Sequence, residues 1–196
     1  SNGFVVRGYR NGEEVSAIGD INGDGVHDFR VSGSDLYFGR PDWPADFHVE
    51  TWDSVDGFVI VAGANSQGIG DFNGDGWDDA AFAAPSISTN DCYRCGVCFI
   101  LLGPTGNFDH EVSLYDPNEA DYITFYGYVP SGEMGHQISG IGDFDGDGDS
   151  ELLVSSPFVP QNGLPTFGSF FLIRGGGSFV SQNTSYLNEM TGAEGF

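Results

Sequence analysis

Three short segments of the chain carry oxygen-bearing side chains at the same regular spacing. They run from Asp20 to Asp28, from Asp71 to Asp79 and from Asp143 to Glu151. Each has Asp, Asn or Glu at positions 1, 3, 5 and 9, and a glycine at position 6 that allows a sharp backbone turn. Calcium binds about six to eight oxygen atoms, and the carbonyl of position 7 normally adds one of them. The spacing therefore predicts three calcium sites.

An ordinary turn is the alternative explanation, because Asn, Asp and Gly also dominate turns that bind nothing. Such a turn does not require three or four carboxylates, which repel one another unless a cation screens their charge. We therefore interpret the three segments as metal-binding loops.

The charge balance of the chain agrees with cation binding. The 196 residues include 29 acidic and six basic side chains, for a net charge of −23. This charge disfavours nucleic acids and anionic membrane surfaces as partners, and no apolar run of about eighteen residues predicts membrane insertion. Extracellular modules commonly bind calcium at the millimolar concentrations found outside cells. We therefore expect an extracellular protein, secreted or at the cell surface.

The first residues, Ser1-Asn2-Gly3-Phe4, enter strand-like sequence directly, so we expect a mature, trimmed or excerpted chain. The sequon at Asn183-Thr184-Ser185 is a candidate glycosylation site.

Apolar stretches flank each loop and recur in one order. The stretches before the loops are Val15–Gly19, Ser66–Gly70 and Ile138–Gly142, and those after them are Phe29–Val31, Ala80–Ala84 and Leu152–Val154. A third set, bounded by glycine, is Leu36–Gly39, Val97–Gly103 and Phe170–Gly175, and a fourth is Phe4–Gly8, Phe58–Val61 and Ile123–Gly127. Four short strands per repeat predict an all-β fold of β-propeller blades.

The repeats predict approximate units of residues 1–55, 56–120 and 121–193, with a further repeat starting at 194–196. Longer connections at Ser86–Gly96, Pro104–Ala120 and Phe158–Gly168 are candidate binding surfaces, since variable loops on a regular scaffold often carry function.

The loop motif, the following Ala83-Ala84-Pro85 or Ser155-Ser156-Pro157 and the glycine-bounded strand together resemble the FG-GAP repeat of integrin α-subunit propellers and their bacterial relatives. The resemblance covers nearly the whole chain and implies a calcium loop between the first two strands of a blade, with ligands at positions 1, 3, 5, 7 and 9. The first repeat lacks the proline. The third has Glu151 at position 9, which is expected to alter or weaken that site.

The resemblance implies three sets of calcium ligands. The first set is Asp20, Asn22, Asp24, the carbonyl of Val26, and Asp28; the second is Asp71, Asn73, Asp75, the carbonyl of Trp77, and Asp79; the third is Asp143, Asp145, Asp147, the carbonyl of Asp149, and Glu151.

An EF-hand is a competing interpretation of the loops, but it requires a glutamate at position 12 and flanking helices. Position 12 is Val31, Phe82 or Val154. These residues favour strands, so we reject the EF-hand.

Three repeats are fewer than the four to eight blades of a typical propeller. Two exposed edges would remain, and exposed edges favour association. We therefore expect partners that are copies of the chain, forming a ring, array or filament, or neighbouring blades of a longer chain. Glycans and an extracellular protein are the candidate ligands.

The three cysteines, Cys92, Cys95 and Cys98, lie close together. A local disulfide such as Cys92 to Cys95, with Cys98 buried, is favoured over a metal site that takes His110 as a fourth ligand. The leftover cysteine could also bridge to a neighbouring molecule.

We do not expect an enzyme. The histidines lie in no recognisable nucleophile motif, and the concentrated carboxylates that could support glycoside hydrolysis are assigned to calcium. The sequence favours an extracellular calcium-binding structural or adhesive module. The alternatives are a carbohydrate-binding propeller, with exposed aromatic residues such as Trp43, Trp52, Tyr93 or Tyr115, and an accessory domain of a secreted hydrolase.

Overall fold

The computed structural model describes residues 5–7, 15–31, 35–48, 57–61, 65–104, 111–113, 122–160, 168–176 and 184–186. Their regular secondary structure consists of β-strands, and none of these segments forms a helix long and apolar enough to cross a membrane. The strands are β1 (Val5–Arg7), β2 (Val15–Gly19), β3 (Asp28–Val31), β4 (Asp35–Tyr37), β5 (Asp46–His48), β6 (Gly57–Val61), β7 (Asn65–Gly70), β8 (Asp79–Ala84), β9 (Val97–Leu101), β10 (Glu111–Ser113), β11 (Tyr122–Tyr126), β12 (Ile138–Gly142), β13 (Glu151–Ser156), β14 (Ser169–Ile173) and β15 (Thr184–Tyr186).

The strands form three principal sheets, which we call blades 1, 2 and 3. Blade 1 has the order β10-β6-β4-β3-β2, blade 2 has the order β15-β11-β9-β8-β7, and blade 3 has the order β12-β13-β14. In blades 1 and 2 four antiparallel strands are followed by a parallel fifth strand, β10 or β15, at the outer edge. The structure confirms an all-β fold of propeller-type blades. It also confirms that each predicted loop connects two strands, with position 12 in a strand.

Blades and sequence repeats are offset by one strand. Strand β6 precedes the second loop in sequence but pairs with β4 of blade 1, and β11 precedes the third loop but pairs with β9 of blade 2. The parallel strands β10 and β15 show the same offset. Strand β10 belongs to the second repeat but lies in blade 1, and β15 belongs to the third repeat but lies in blade 2. Consecutive sequence repeats are thus joined by hydrogen bonds as well as by covalent connections.

A β-bulge occurs at the same place in every blade, where the innermost strand enters the loop. The register with the neighbouring strand shifts just before Gly19, Gly70 and Gly142. These glycines have φ values of 88°, 76° and 70°, a region that residues with a Cβ rarely occupy. The bulge explains why the Ile-Gly pair precedes each loop.

The hydrophobic core lies between blades rather than within one of them. Ile18 and Ile21 of blade 1 pack against Ala80 and Phe82 of blade 2. The opposite face of blade 2 packs against blade 3 through a second cluster that includes Leu152. Strand β8 is buried along its whole length, which explains its continuous apolar sequence Ala80–Ala84.

Small residues allow the innermost strands of successive blades to approach closely. A Cβ added to Gly68 would lie 2.4 Å from the carbonyl oxygen of Ile18, and one added to Gly140 would lie 2.8 Å from the Cα of Ile69. The hydroxyl oxygens of Ser16 and Ser66 are 2.7 Å apart. This tight spacing fixes the position of each loop relative to the next.

Aromatic side chains cover the other face of blade 1. Tyr37 and Phe47 are buried together, and their rings contact that of Trp43. The guanidinium of Arg40 lies 4.4 Å from the centre of the Trp43 ring. Trp43, a candidate sugar-binding residue from the sequence, therefore belongs to the packing of blade 1.

We expect Gly68→Ala to destabilise the protein by about 1–3 kcal/mol, because the added methyl group overlaps backbone atoms of Ile18 that belong to a neighbouring strand. Denaturant unfolding followed by circular dichroism measures this change. Val15→Ala, on the same layer of inner strands but at an exposed position, is the control and should change stability little. An equal effect of both substitutions would show that close approach of the strands does not limit stability.

Candidate metal centres

Backbone hydrogen bonds shape the first loop around its oxygen-bearing side chains. The Asp20 carboxylate accepts hydrogen bonds from the N–H groups of Asp24 at 3.0 Å and Gly25 at 2.7 Å. The Asn22 amide donates to Asp24 Oδ2 at 3.1 Å, and the Val26 N–H donates to Asp24 Oδ1 at 2.8 Å. The side chains of positions 1, 3 and 5 are thereby gathered inside one turn.

The second loop repeats this arrangement with different neighbours. Asp71 accepts hydrogen bonds from the N–H groups of Asp75 at 3.0 Å and Gly76 at 2.8 Å. The Asn73 amide donates to Asp75 Oδ2 at 2.9 Å, and the Trp77 N–H donates to Asp75 Oδ1 at 3.0 Å. Because the bonds recur position by position, the local spacing of residue types determines the shape of the loop.

Position 9 is different, since its carboxylate is buried. Asp28 accepts hydrogen bonds from the N–H groups of Ile21 at 2.9 Å and Gly39 at 2.7 Å. This carboxylate ties the start of the loop to the end of the third strand of the blade. In blade 2 the N–H groups of Phe72 at 2.7 Å and Gly103 at 2.8 Å bind Asp79 in the same way.

Burial raises the pKa of both carboxyl groups, despite the backbone hydrogen bonds that favour their ionised forms. Desolvation raises the pKa of Asp28 to about 6 and that of Asp79 to about 7, from an ordinary value of 3.8. The neighbouring carboxylates Asp24 and Asp75 add to the increase. A cation in these loops would oppose it by favouring the ionised carboxylate.

The third loop brings three carboxyl groups together. Oxygen atoms of Asp143, Asp145 and Glu151 lie within 4.8 Å of one another, the only such cluster found among the described residues. Two ligands at about 2.3–2.6 Å from one calcium ion can be at most about 5 Å apart. The cluster therefore has dimensions that suit a single ion.

The Glu151 side chain supplies the most direct evidence for a missing partner. Its Oε2 atom accepts a hydrogen bond from the Phe144 N–H at 2.5 Å. Its Oε1 atom is buried and has no hydrogen-bond partner. A buried acceptor without a partner is costly, and a cation held together with Asp143 and Asp145 would satisfy it.

Some predicted ligands of the third loop lie outside this cluster. Asp147 accepts a hydrogen bond from the Asp149 N–H at 3.0 Å and is not one of the three grouped carboxyl groups. Asp145 also forms an ion pair with Arg174, with 3.4 Å between Oδ2 and Nε. Because the Arg174 side chain is more than half exposed, this pair contributes little stability and leaves Asp145 able to bind a cation.

Positions 7 and 8 connect one loop to the next, which the sequence did not reveal. At position 8, Asp78 accepts a hydrogen bond from the Asp20 N–H at 3.0 Å, and the Ser150 N–H donates to the Asp71 carbonyl at 2.7 Å. At position 7, the Asp149 carboxylate lies against Gly74 of the preceding loop. Partial burial and the nearby carboxylates, first Asp147, raise the pKa of Asp149.

The remaining candidate residues have varied positions. Cys92 and Cys95 form a disulfide and Cys98 is buried, as the favoured interpretation of the cysteines predicted, and burial raises the pKa of Cys98 to about 12. His27, at position 8 of the first loop, is exposed. Several candidates lie outside the described residues, namely His110, Asn183, Trp52, Tyr115 and residues 194–196.

We expect the calcium-free protein to lose stability as the pH rises from about 4 to 7. Asp79 binds its proton more tightly in the folded state than in the unfolded state, so this contribution is complete below pH 3.8 and disappears as the pH passes about 7. Urea unfolding in chelator at several pH values measures the slope of the free energy of unfolding against pH. Asp79→Asn should reduce it, whereas Asp91→Asn, at an exposed position, should not. An unchanged slope in Asp79→Asn would show that the Asp79 carboxyl group does not cause the pH dependence of stability.

Comparison with known protein families gives a match to part of the chain. Residues 134–169 match the FG-GAP repeat family, over a segment that runs from the buried Met134 through β12, the third loop and β13 to the start of β14. No curated protein matches the chain. The matched segment contains the loop in which Glu151 groups with Asp143 and Asp145. The match confirms the resemblance for residues 134–169, which are similar to an FG-GAP repeat and lie in an all-β fold with propeller-type blades.

Proposed function

We propose that the chain is an extracellular calcium-binding module with a structural or adhesive role. The observation that carries this proposal is the Glu151 carboxylate, which groups with those of Asp143 and Asp145 and whose buried Oε1 atom lacks a hydrogen-bond partner. The first two loops support it, because oxygen-bearing side chains recur there at the same positions. Each loop has an all-oxygen set of side-chain ligands, which calcium prefers.

The module would use calcium to hold the strands of a blade and its neighbour in place. Bound calcium supplies positive charge that offsets the repulsion among the loop carboxylates. The position 9 carboxylates Asp28 and Asp79 also hold the loop against the end of the third strand, because they accept hydrogen bonds from the N–H groups of Gly39 and Gly103. Asp78 holds the second loop against the first, because it accepts a hydrogen bond from the Asp20 N–H.

We propose a binding role rather than catalysis, because the concentrated carboxylates of this chain are built into the loops. The strongly acidic composition favours cations and neutral partners over nucleic acid or an anionic membrane surface. An extracellular location would supply millimolar calcium and permit both the Cys92–Cys95 disulfide and a glycan on Asn183. Copies of the chain, or neighbouring blades, are the partners that we propose.

We expect a chelator to lower the melting temperature by roughly 5–10 °C for each site that calcium fills at about 100 times its Kd. Differential scanning calorimetry with and without calcium measures the shift. Glu151→Gln should reduce the shift, because the neutral amide oxygen binds calcium more weakly than the negatively charged carboxylate does. Asp91→Asn removes one exposed charge outside the loops and should retain the full shift. The same melting temperature with calcium and with chelator would refute calcium binding.

A groove beside the disulfide supports a second candidate function, the binding of neutral glycans. It encloses about 510 Å³ and is lined by residues that include Tyr93, Arg94, Glu133 and Phe158. Tyr93 is 67% exposed, so its ring is available for stacking on the apolar face of a sugar. Arg94 forms an ion pair with Glu133 at 2.6 Å, which leaves the groove polar but locally neutral.

The walls of this groove are preorganised. The Ser131 N–H donates to the Tyr93 carbonyl at 2.7 Å, and the Glu133 N–H donates to the Arg94 carbonyl at 3.2 Å. Arg94, Ser131 and Glu133 are the non-glycine residues with positive φ among those described, and such conformations concentrate at functional sites. A neutral sugar fits best, because the net charge of −23 repels anions.

We expect binding on a glycan array to weaken about tenfold in Tyr93→Ala, through loss of the stacking surface. Tyr93→Phe keeps the ring and is the matched control, which should bind like the original protein. Absence of array binding by the original protein, or equal binding by Tyr93→Ala, would exclude this second function.

A further inference from the structure

The residue at position 8 of each loop lies directly against the end of the third strand of its blade. This residue is His27, Asp78 or Ser150. A Cβ added to the glycine that follows the third strand would lie 2.3 Å from the carbonyl oxygen of His27, 2.3 Å from that of Asp78 and 2.5 Å from that of Ser150. The backbone of position 8 is therefore fixed within its own blade.

Position 8 also bonds to the preceding loop, in both pairs of neighbouring loops. Asp78 Oδ2 accepts a hydrogen bond from the Asp20 N–H at 3.0 Å, and the Ser150 N–H donates to the Asp71 carbonyl at 2.7 Å. Asp20 and Asp71 are the position 1 residues of the first and second loops. The same two positions are thus connected by a side chain in one pair and by backbone groups in the other.

Position 7 makes a second contact between the same loops. A Cβ added to Gly23, at position 4 of the first loop, would lie 3.0 Å from Cζ3 of the Trp77 ring. One added to Gly74, at position 4 of the second loop, would lie 2.5 Å from Oδ1 of Asp149. Glycine at position 4 leaves the space that these side chains occupy, so positions 7 and 8 of one loop fit into the turn of the loop before it.

These contacts start from residues that lie between proposed calcium ligands. The carbonyl of position 7 and the carboxylate of position 9 are proposed ligands, so an ion in the second loop would restrain Asp78 from both sides along the chain. Asp78 holds the N–H group of Asp20, whose carboxylate is a proposed ligand in the first loop. A single hydrogen bond therefore joins a residue flanked by the ligands of one ion to a ligand of the next.

We propose that Asp78 is a positioning residue that makes calcium binding in the first and second loops cooperative, and that the Ser150 N–H couples the second and third loops in the same way. This inference rests on the calcium binding proposed above and adds that the ions do not bind independently. An ion in one loop orders position 8, which then holds position 1 of the preceding loop in place. A loop that is already ordered loses less conformational entropy when it binds an ion, so its affinity rises.

Charge acts in the opposite direction, but salt weakens its effect. An ion in one loop reduces the negative potential that attracts an ion to the next loop. At about 0.15 M salt, interactions between exposed charges are largely screened beyond about 8 Å. The direct hydrogen bonds between loops do not act over such distances and remain. We therefore expect positive cooperativity at this salt concentration.

A calcium titration of the 196-residue chain followed by NMR gives a separate reading for each loop. The glycine at position 6 donates its N–H to the position 1 carboxylate in every loop, at 2.7 Å from Gly25, 2.8 Å from Gly76 and 3.2 Å from Gly148. Calcium binding by that carboxylate changes this hydrogen bond. The amide signal of each glycine therefore reports the occupancy of its own loop.

The first test removes a ligand from one loop and follows the other. Asp75→Ala, in the second loop, should raise the calcium midpoint of Gly25 at least about twofold, because two equal sites coupled by a factor of about five shift by its square root. Coupling is reciprocal, so Asp24→Ala, in the first loop, should raise the midpoint of Gly76 by a similar factor. A local distortion by one substitution does not require this match. Unchanged midpoints, or a shift in one direction only, would overturn the proposal.

The second test assigns the coupling to Asp78. Asp78→Ala removes the acceptor of the Asp20 N–H, so adding Asp75→Ala to it should cause no further shift at Gly25. Asp78→Asn keeps an oxygen acceptor without the charge, and in this background Asp75→Ala should still shift the midpoint. A full shift in the Asp78→Ala background would overturn the proposal. Loss of the shift in the Asp78→Asn background would assign the effect to charge and would overturn it as well.

The second and third loops provide a measurement that does not depend on the folding of Asp78 variants. Asp145→Ala removes a carboxylate of the third-loop cluster and should raise the midpoint of Gly76 at least about twofold. The shift should persist in a Ser150→Ala background, because the N–H group of Ser150, and not its hydroxyl, bonds to Asp71. No shift at Gly76, or its loss in the Ser150→Ala background, would overturn the backbone coupling.

These outcomes are separable from failure of the proposed function. Glycine signals that do not respond to calcium would refute calcium binding itself. Signals that respond, with midpoints that no substitution in a neighbouring loop changes, would show that the loops bind calcium independently and would refute the coupling alone.

Discussion

The structure depends on a buried carboxylate at position 9 of each loop. Asp28, Asp79 and Glu151 are almost completely removed from solvent, at the point where the loop enters the second strand of its blade. Burying a carboxylate is costly unless hydrogen bonds or a cation compensate for the lost hydration. In the first two blades backbone N–H groups bind both oxygens, and in the third blade they bind only one of them in the described structure. Strand geometry and the proposed metal binding therefore depend on the same side chain.

The third loop has glutamate at position 9 where the first two loops have aspartate, and this difference changes how the buried carboxylate is bound. Glu151 has one more methylene group than the aspartates at the same position, and its Oε2 still receives the N–H of position 2. Its Oε1 has no hydrogen-bond partner, whereas the second oxygen of Asp28 and of Asp79 receives an N–H group from the end of the third strand. The sequence suggested that glutamate alters or weakens this site. Among the described residues, this loop is the one in which three carboxyl groups lie within 4.8 Å of one another.

Packing between blades gives the loops their common orientation. The core clusters join the face of one blade to the face of the next, and inner-strand glycines bring the backbones into contact. Each of these faces is buried by the neighbouring blade, whereas Phe144 and Phe170 on the other face of blade 3 are exposed.

The sequence by itself determined the repeat, the all-β class, the inner strands around each loop and the loop residues, because these depend on local spacing. Asp20, Asn22 and Asp24 form hydrogen bonds with groups no more than five residues away, so the sequence alone predicts their arrangement. Only the tertiary structure decided that β6 and β11 belong to the preceding blade and that Asp78 bonds to Asp20. It also decided that Trp43 is packed whereas Tyr93 is exposed. These contacts join residues far apart in sequence, and their formation depends on which faces are buried when the blades pack together.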